Sequence, residues 1–319
     1  MKMSNESIMT EFLLLGFSDN RELQILYFVA FLVIYLEALI GNLLIFILIV
    51  FNHHLHTPMY FYLMNLSIAD IGSFSVTIPK VMENSLMDNR LISYSGCAAQ
   101  VFLLVFFVGL DFYILTVMGY DRYVAICDPL HYDTVMNKGV CIQMAAGAWI
   151  IGFLNAALHT GSIFAITFCS NVVDQFFCEI PQLIKLSCSD LYLIEVGAVI
   201  FSVCLFSGFF VFIIVSYVQI FRAVLRIPSV KGRQKAFSTC LPHLIVISLF
   251  TCTGIFAYVK PPSSSPSDLD LVVSMVYSVV PPVMNPIIYS MRNKEIKAAL
   301  WKLISECFSS NNKLSLLHL

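Results

Sequence analysis

The sequence predicts an all-α integral membrane protein, a seven-transmembrane helix bundle followed by a short amphipathic eighth helix. Three observations carry that expectation. The 319 residues are 59% hydrophobic and only 12% charged, with a mean hydropathy of +0.84, whereas a soluble domain carries about 25% charged residues. Seven apolar stretches each reach the roughly 20 residues a helix needs to cross a bilayer. The basic residues, finally, divide unequally between the two sets of loops. A formal net charge of -2 offers no surface for nucleic acid.

In chain order the spans run near Gln24–Phe51, Pro58–Val81, Gly96–Ile126, Cys141–Ile166, Leu191–Leu225, Ala236–Val259 and Leu269–Met291. Residues 1–23 form an N-terminal segment, 24–291 the membrane domain and 292–319 a tail. The fifth stretch is longer than a bilayer requires, so its end projects beyond the lipid. Orientation follows from Lys and Arg, which gather on the cytoplasmic side. With the amino end outside, the inner loops and tail hold twelve of them, Arg122, Lys231, Arg233 and Lys235 included, against six on the outer side. That predicts a multi-pass chain with an extracellular amino terminus, and the plasma membrane is its expected location. No basic n-region with a cleavable site precedes the first span, so that span is expected to direct insertion itself.

Asn5-Glu6-Ser7 is a glycosylation acceptor on the predicted outer side. Asn65-Leu66-Ser67 fits the same pattern but lies inside the second span, beyond any glycosyltransferase. Beyond Met291 the run from Arg292 to Trp301 alternates basic and apolar residues at helical spacing, as a helix lying on the inner leaflet does. Cys307 follows it as a candidate for acylation. Of ten cysteines, Cys97, Cys169, Cys178 and Cys188 fall on the predicted outer side, where oxidation is favoured. Four allow three pairings. The loop between spans four and five carries Phe176, Phe177, Ile180, Pro181 and Leu183. That is too apolar for a solvated connection and suits a lid over a site for an apolar small ligand.

Ionisable groups in hydrocarbon are costly and mark function. Asp70 lies 12 residues past Pro58, about 18 Å into the bilayer, and Asp111 lies about 15 Å before Asp121, so both sit near one depth. Asn42 and Asn285 share that layer. Two such carboxylates cannot both stay ionised unaided. They share a proton or hold a cation such as sodium; the plainer alternative is two protonated acids bonded between helices. Asp121-Arg122-Tyr123 ends the third span, and there the Asp can hold a guanidinium that always stays charged. An interfacial Arg reaching for headgroups is the plain alternative. In the last span Pro286 of Asn285-Pro286-Ile287-Ile288-Tyr289 removes a backbone donor and kinks the helix.

With these residues placed, the whole chain resembles a rhodopsin-like G-protein-coupled receptor, and more narrowly a vertebrate olfactory receptor. The resemblance rests on Gly41-Asn42, on Leu55-His56-Thr57-Pro58-Met59-Tyr60-Phe61, and on Met118-Gly119-Tyr120-Asp121-Arg122-Tyr123-Val124-Ala125-Ile126-Cys127. Ser216-Tyr217, Lys235-Ala236-Phe237-Ser238-Thr239-Cys240 with His243, and Pro282-Val283-Met284-Asn285-Pro286-Ile287-Ile288-Tyr289 complete it. It implies odorant detection, coupling to a stimulatory G protein of the olfactory type and a rise in cyclic AMP. It also implies the pairings Cys97–Cys178 and Cys169–Cys188, and a sodium site at Asp70 and the acid of mid-helix 3. That acid is usually Glu, so Asp111 is one methylene shorter. Gly119 stands where the family commonly has Ala, and Thr251-Cys252 replaces its aromatic-glycine step in helix 6.

The expected ligand cup takes Leu104, Val105, Val108, Gly109 and Phe112 from helix 3, and Thr251, Gly254, Ile255 and Tyr258 from helix 6, each set at helical spacing. Position adds Phe201, Ser202 and Leu205 from helix 5 and Met275 and Ser278 from helix 7. No charge lies at that level in helix 3, so the ligand is expected to be a neutral, mostly hydrophobic volatile. Activation is expected to involve Asp121, Arg122, Tyr123, Tyr217, Asn285, Pro286 and Tyr289. The expected partners are therefore an odorant, a heterotrimeric G protein and lipid, with oligomeric state open and no cofactor beyond the candidate sodium ion.

Two rivals differ in class. A transporter should show internal repeats or paired broken helices, and neither occurs. An enzyme needs a reactive constellation, and His159 and His243 have no evident nucleophile or metal partners; they read as a pocket-rim and a cytoplasmic-end residue. A chemoreceptor for a non-odorant metabolite outside the nose is the nearer alternative.

Overall fold

The computed structural model describes residues 9–15, 20–87, 89–188, 192–259, 268–292, 295–301 and 305, with the backbone alone described at 192, 255–259, 268–275, 277 and 290–292. Seven long helices dominate it. They are α1 (Arg21–Phe51), α2 (Pro58–Met87), α3 (Tyr94–Cys127), α4 (Lys138–Phe164), α5 (Tyr192–Arg226), α6 (Val230–Val259) and α7 (Asp268–Arg292). Among the described residues six are long and apolar enough to span a membrane. The seventh, α7, has 25 residues and extends about 37 Å, enough to cross a core of roughly 30 Å.

Local chemistry sets several of the ends. Asn20, Ser93 and Asn137 cap α1, α3 and α4 by accepting from Glu22 N, Gly96 N and Val140 N, which supplies partners for amides that the helix itself leaves unpaired. Proline does not stop these helices: Pro79, Pro242, Pro281, Pro282 and Pro286 all lie inside α2, α6 and α7. α2 also runs to Met87 where Val81 was expected. The outer faces of α1 and α5 leave Leu26, Val33, Ile200, Val203 and Val211 more than half exposed. Such belts would aggregate in water and belong against lipid.

One end of the bundle carries a feature absent from the sequence reading. β1 (Glu11–Leu14), β2 (Leu91–Ser93) and β3 (Val172–Val173) form a sheet in the order β2-β1-β3, with β1 antiparallel to β2 and parallel to β3. Strands of two to four residues are too short to show a period of two, so only tertiary pairing reveals them. The sheet brings the N-terminal segment, the α2–α3 loop and the α4–α5 loop to one end, as the alternation of seven crossings requires. Both disulfides, Cys97–Cys178 and Cys169–Cys188, lie there.

The apolar loop sinks into the bundle instead of covering it from above. Phe176 and Phe177, 2% and 0% exposed, pack in one cluster with Phe31, Phe74, Leu104 and Val279. Gln100 fixes this loop by accepting from Cys178 N at 2.8 Å while its amide donates to Val76 O at 3.0 Å. At the opposite end residues 295–301 are helical. Ile296 is buried in the main core, Trp301 is exposed, and Tyr60 donates to Glu295 at 2.6 Å.

Candidate functional site

The described residues form three polar or ligand-facing layers strung along α3. In the outer layer, Leu104 and Val108 belong to the cluster capped by Phe176 and Phe177, while Val105 packs against the neighbouring cluster under the sheet. Phe112 sits deeper, its ring tilted against Phe206 at 4.5 Å and stacked on Phe250 at 6.0 Å. Gly109 is buried beside Tyr113. On α5, Ser202 is buried and Leu205 half-buried, but Phe201 is 57% exposed on the lipid side. Helix rotation explains the difference, since adjacent residues point about 100° apart: Ser202 faces the bundle and Phe201 faces away from it. On α6, Thr251 Oγ1 is buried without a partner among the described residues, and Gly254 is partly exposed. Ser278 is buried on α7. Ile255, Tyr258 and Met275 lie outside the described side chains, and Asn5 and Cys307 outside the described residues.

The sequence reading missed the densest polar cluster of this layer. Glu195 on α5, 0% exposed, faces His159 on α4, with His159 Nδ1 2.6 Å from Glu195 Oε1. Ser162 donates to the other carboxylate oxygen. His159 Nε2 lies 2.8 Å from Ser202 Oγ, which donates to Asn155 Oδ1 at 2.7 Å. His159 is thus buried and ties α4 to α5. Glu195 was legible in principle, because the cost argument that picked out Asp70 and Asp111 applies equally to an acid inside the fifth apolar stretch.

The middle layer gathers Asp70, Asp111, Asn285 and Asn42. Asn285 Nδ2 reaches both oxygens of Asp70, at 3.1 and 3.0 Å. Asn42 donates to Pro282 O at 3.0 Å, which binds α1 to α7 beside the proline pair. The helices approach closely next to it: a Cβ on Gly41 would stand 3.0 Å from Pro286 Cβ, so any larger residue would press on that proline. Asp111 Oδ1 is buried with no hydrogen-bond partner among the described residues, and Asp111 lies within the electrostatic reach of Asp70. Asn65, the sequon inside the second span, instead accepts from Trp149 Nε1 at 3.0 Å.

The inner layer is the charged one. Asp121, fully buried, accepts from Arg122 Nε at 3.0 Å and from Tyr132 OH at 2.7 Å. Tyr132, in a helical turn at Tyr132–Val135 between α3 and α4, was not foreseen. Burial, then the Asp121 carboxylate, raises its phenol above the ordinary range, so it stays a donor. Next to it Leu130 is 92% exposed.

His243, expected at the cytoplasmic end, lies buried in mid-α6 and joins three helices. Its Nε2 faces Leu115 O of α3 at 2.8 Å, and its Nδ1 faces Tyr217 OH of α5 at 2.6 Å. A carbonyl only accepts, so Nε2 carries the proton and Tyr217 donates to Nδ1. A Cβ at Gly119 would touch His243 Cε1 at 3.5 Å, an ordinary contact that admits alanine. Tyr289 is buried one turn past Pro286, its hydroxyl without a partner among the described residues. A groove of about 600 Å³ also opens between α3, α4 and α5, lined by Tyr120, Met144, Cys204 and Phe209. Of the expected ligand residues it takes Leu205 alone, so it is separate from the outer layer.

Comparison with known proteins now decides the family. The family model described as "Olfactory receptor" matches residues 31–307. Human olfactory receptor 14A16 is 50% identical over 303 residues, covering 95% of this chain and 98% of that protein. The chain belongs to the olfactory receptor family. Mouse olfactory receptor 5AR1 is 45% identical over 309 residues, covering 96% and 99%. Among solved structures, squid rhodopsin superposes with a TM-score of 0.73 at 15% identity, over 91% of this chain and 88% of that one. That likeness shows the fold of this olfactory receptor, a multi-pass membrane bundle.

Proposed function

We infer that the protein detects small neutral volatiles in its outer layer and transmits their binding to a stimulatory G protein, raising cyclic AMP. It does so from the plasma membrane, amino terminus outside, where oxidation lets both disulfides persist. One observation carries the reading in a chain of this family. A single helix, α3, runs from the apolar cluster around Phe176 and Phe177 to the buried Asp121 and its partner Arg122. The acid and the histidine of this layer, Glu195 and His159, are paired with each other, so among the described residues no free carboxylate there recruits an ammonium ion. Thr251 Oγ1 and Ser202 Oγ offer uncharged hydrogen-bonding points.

Activation is then a population shift, in which agonist binds one arrangement of the helices more tightly than the other. The resting arrangement is held where α3, α5 and α6 meet at Leu115, Tyr217 and His243, and where Asp121 retains Arg122. Leu130, fully presented beside that switch, supplies an apolar contact for the G protein. A chemically diverse volatile screen with a cyclic AMP readout tests the function. Neutral volatiles are expected to lead, and Thr251→Ala is expected to weaken those that hydrogen-bond by about fivefold. Charged amines as the best agonists would overturn the reading.

Asp70 and Asp111 also fit a hard cation: one carboxylate is held by Asn285, and the other keeps a buried oxygen unpartnered. A sodium ion there would supply the positive charge that lets both acids ionise at one depth. Raising sodium is expected to lower agonist potency in the parent receptor, and Asp111→Asn to remove that dependence. Equal sodium sensitivity in Asp70→Asn, Asp111→Asn and parent would contradict it.

A further inference from the structure

The network between α4 and α5 is specific enough to name a ligand class, an inference that rests on the odorant-receptor reading. Counting protons defines its state. Ser202 has one hydroxyl proton and gives it to Asn155 Oδ1, so His159 Nε2 is the donor to Ser202 Oγ. One proton remains in the contact between His159 Nδ1 and Glu195 Oε1. On either side of that contact it leaves the pair neutral overall, as a buried acid and base must be.

The whole network is buried, and what accessibility it keeps lies away from Glu195. Glu195 is 0% exposed, whereas Asn155, His159 and Ser202 are 7%, 6% and 8% exposed. Ser202, at the accessible end, is one of the side chains expected to line the ligand cup.

We propose that this end recognises the hydroxyl of a small neutral alcohol, which enters between His159 Nε2 and Ser202 Oγ. The hydroxyl oxygen accepts from Nε2–H and its proton goes to Ser202 Oγ, while Ser202 keeps its bond to Asn155. Every donor and acceptor stays partnered. A ketone of the same skeleton accepts from His159 but gives Ser202 Oγ no proton, and an alkane breaks the existing bond without replacing it. Insertion converts one hydrogen bond of 2.8 Å into two in series, which holds the flanking atoms about 4.5 Å apart. Recognition therefore moves α5 relative to α4, and α5 carries Tyr217 of the inner switch.

The test uses full-length receptor in cells, matched triads and a surface label: 1-octanol, octanal and octane; menthol, menthone and menthane. In a responding triad the alcohol is expected to be more potent than the carbonyl by about fivefold, with the hydrocarbon weakest. Ser202→Ala is expected to erase the alcohol's lead over the carbonyl, and Ser202→Thr to restore it at equal surface density. A lead for the carbonyl or hydrocarbon, or an unchanged order in Ser202→Ala, overturns the proposal. Activation by other volatiles but by no alcohol overturns it too, and leaves the odorant reading standing. Silence towards every volatile from a receptor present at the surface overturns that reading itself.

Discussion

Replacing Cys178 with serine is expected to leave almost no working receptor at the cell surface. The bond it forms with Cys97 closes 81 residues, and loops of that size are worth about 4 kcal/mol in restricted unfolded states. That is a large part of the roughly 5–15 kcal/mol by which folded proteins are stable. More is lost than loop closure. Both sulfurs are 0% exposed, and Cys178 N–H, held by Gln100, positions the adjoining Phe176 and Phe177 under the lid. A freed loop withdraws those rings from α1, α2, α3 and α7 together, and burying a phenylalanine contributes about 1.5–3 kcal/mol. The 19-residue bridge Cys169–Cys188 should matter less, because it closes a shorter loop. An N-terminal epitope label on intact cells measures the effect. Cys178→Ser at parental surface density, with a parental agonist response, would show that the bond does not organise this end.

The second large effect is expected at the inner switch, with opposite signs at neighbouring residues. Arg122→Ala should reduce agonist-evoked cyclic AMP more than about tenfold, whereas Asp121→Asn should raise it without agonist. Asp121 accepts from Arg122 through Nε at 3.0 Å and Nη2 at 2.5 Å, and from Tyr132 at 2.7 Å. Hydrogen bonds to a charged group contribute about 1.5–3 kcal/mol each. Losing the charge thus releases the guanidinium by several kcal/mol, and a few kcal/mol shifts a two-state balance by more than tenfold. Asn keeps the volume and one acceptor for Tyr132, so the receptor should still reach the surface. A silent Asp121→Asn at normal surface density, or signalling intact in Arg122→Ala, would remove this pair from the mechanism.

How far the sequence could be read depended on whether the signal was local. The apolar spans and the cost of Asp70 and Asp111 in hydrocarbon are properties of short windows, and they were legible. Phe201 and Ser202 show the limit: adjacent in the chain, they face lipid and core respectively, and composition did not fix that helix's rotation. His243 shows it again, since its meaning comes from Leu115 and Tyr217, 128 and 26 residues away. Glu195 was within reach of the same burial argument and was passed over because its partner, His159, lies on another helix.

By itself the sequence determined that this chain must live in lipid and cross it as helices, because backbone groups there have no water to bond to and apolar stretches of this length have no other home. It also determined the family, through motifs distributed over the whole chain. The tertiary structure alone decided the partnerships: a three-strand cap from segments too short to signal themselves, phenylalanines inserted beneath it, and an acid and a histidine neutralising each other between α4 and α5. Pairings of that kind depend on which helix faces meet, and contact between distant residues leaves no periodic trace in either stretch of chain.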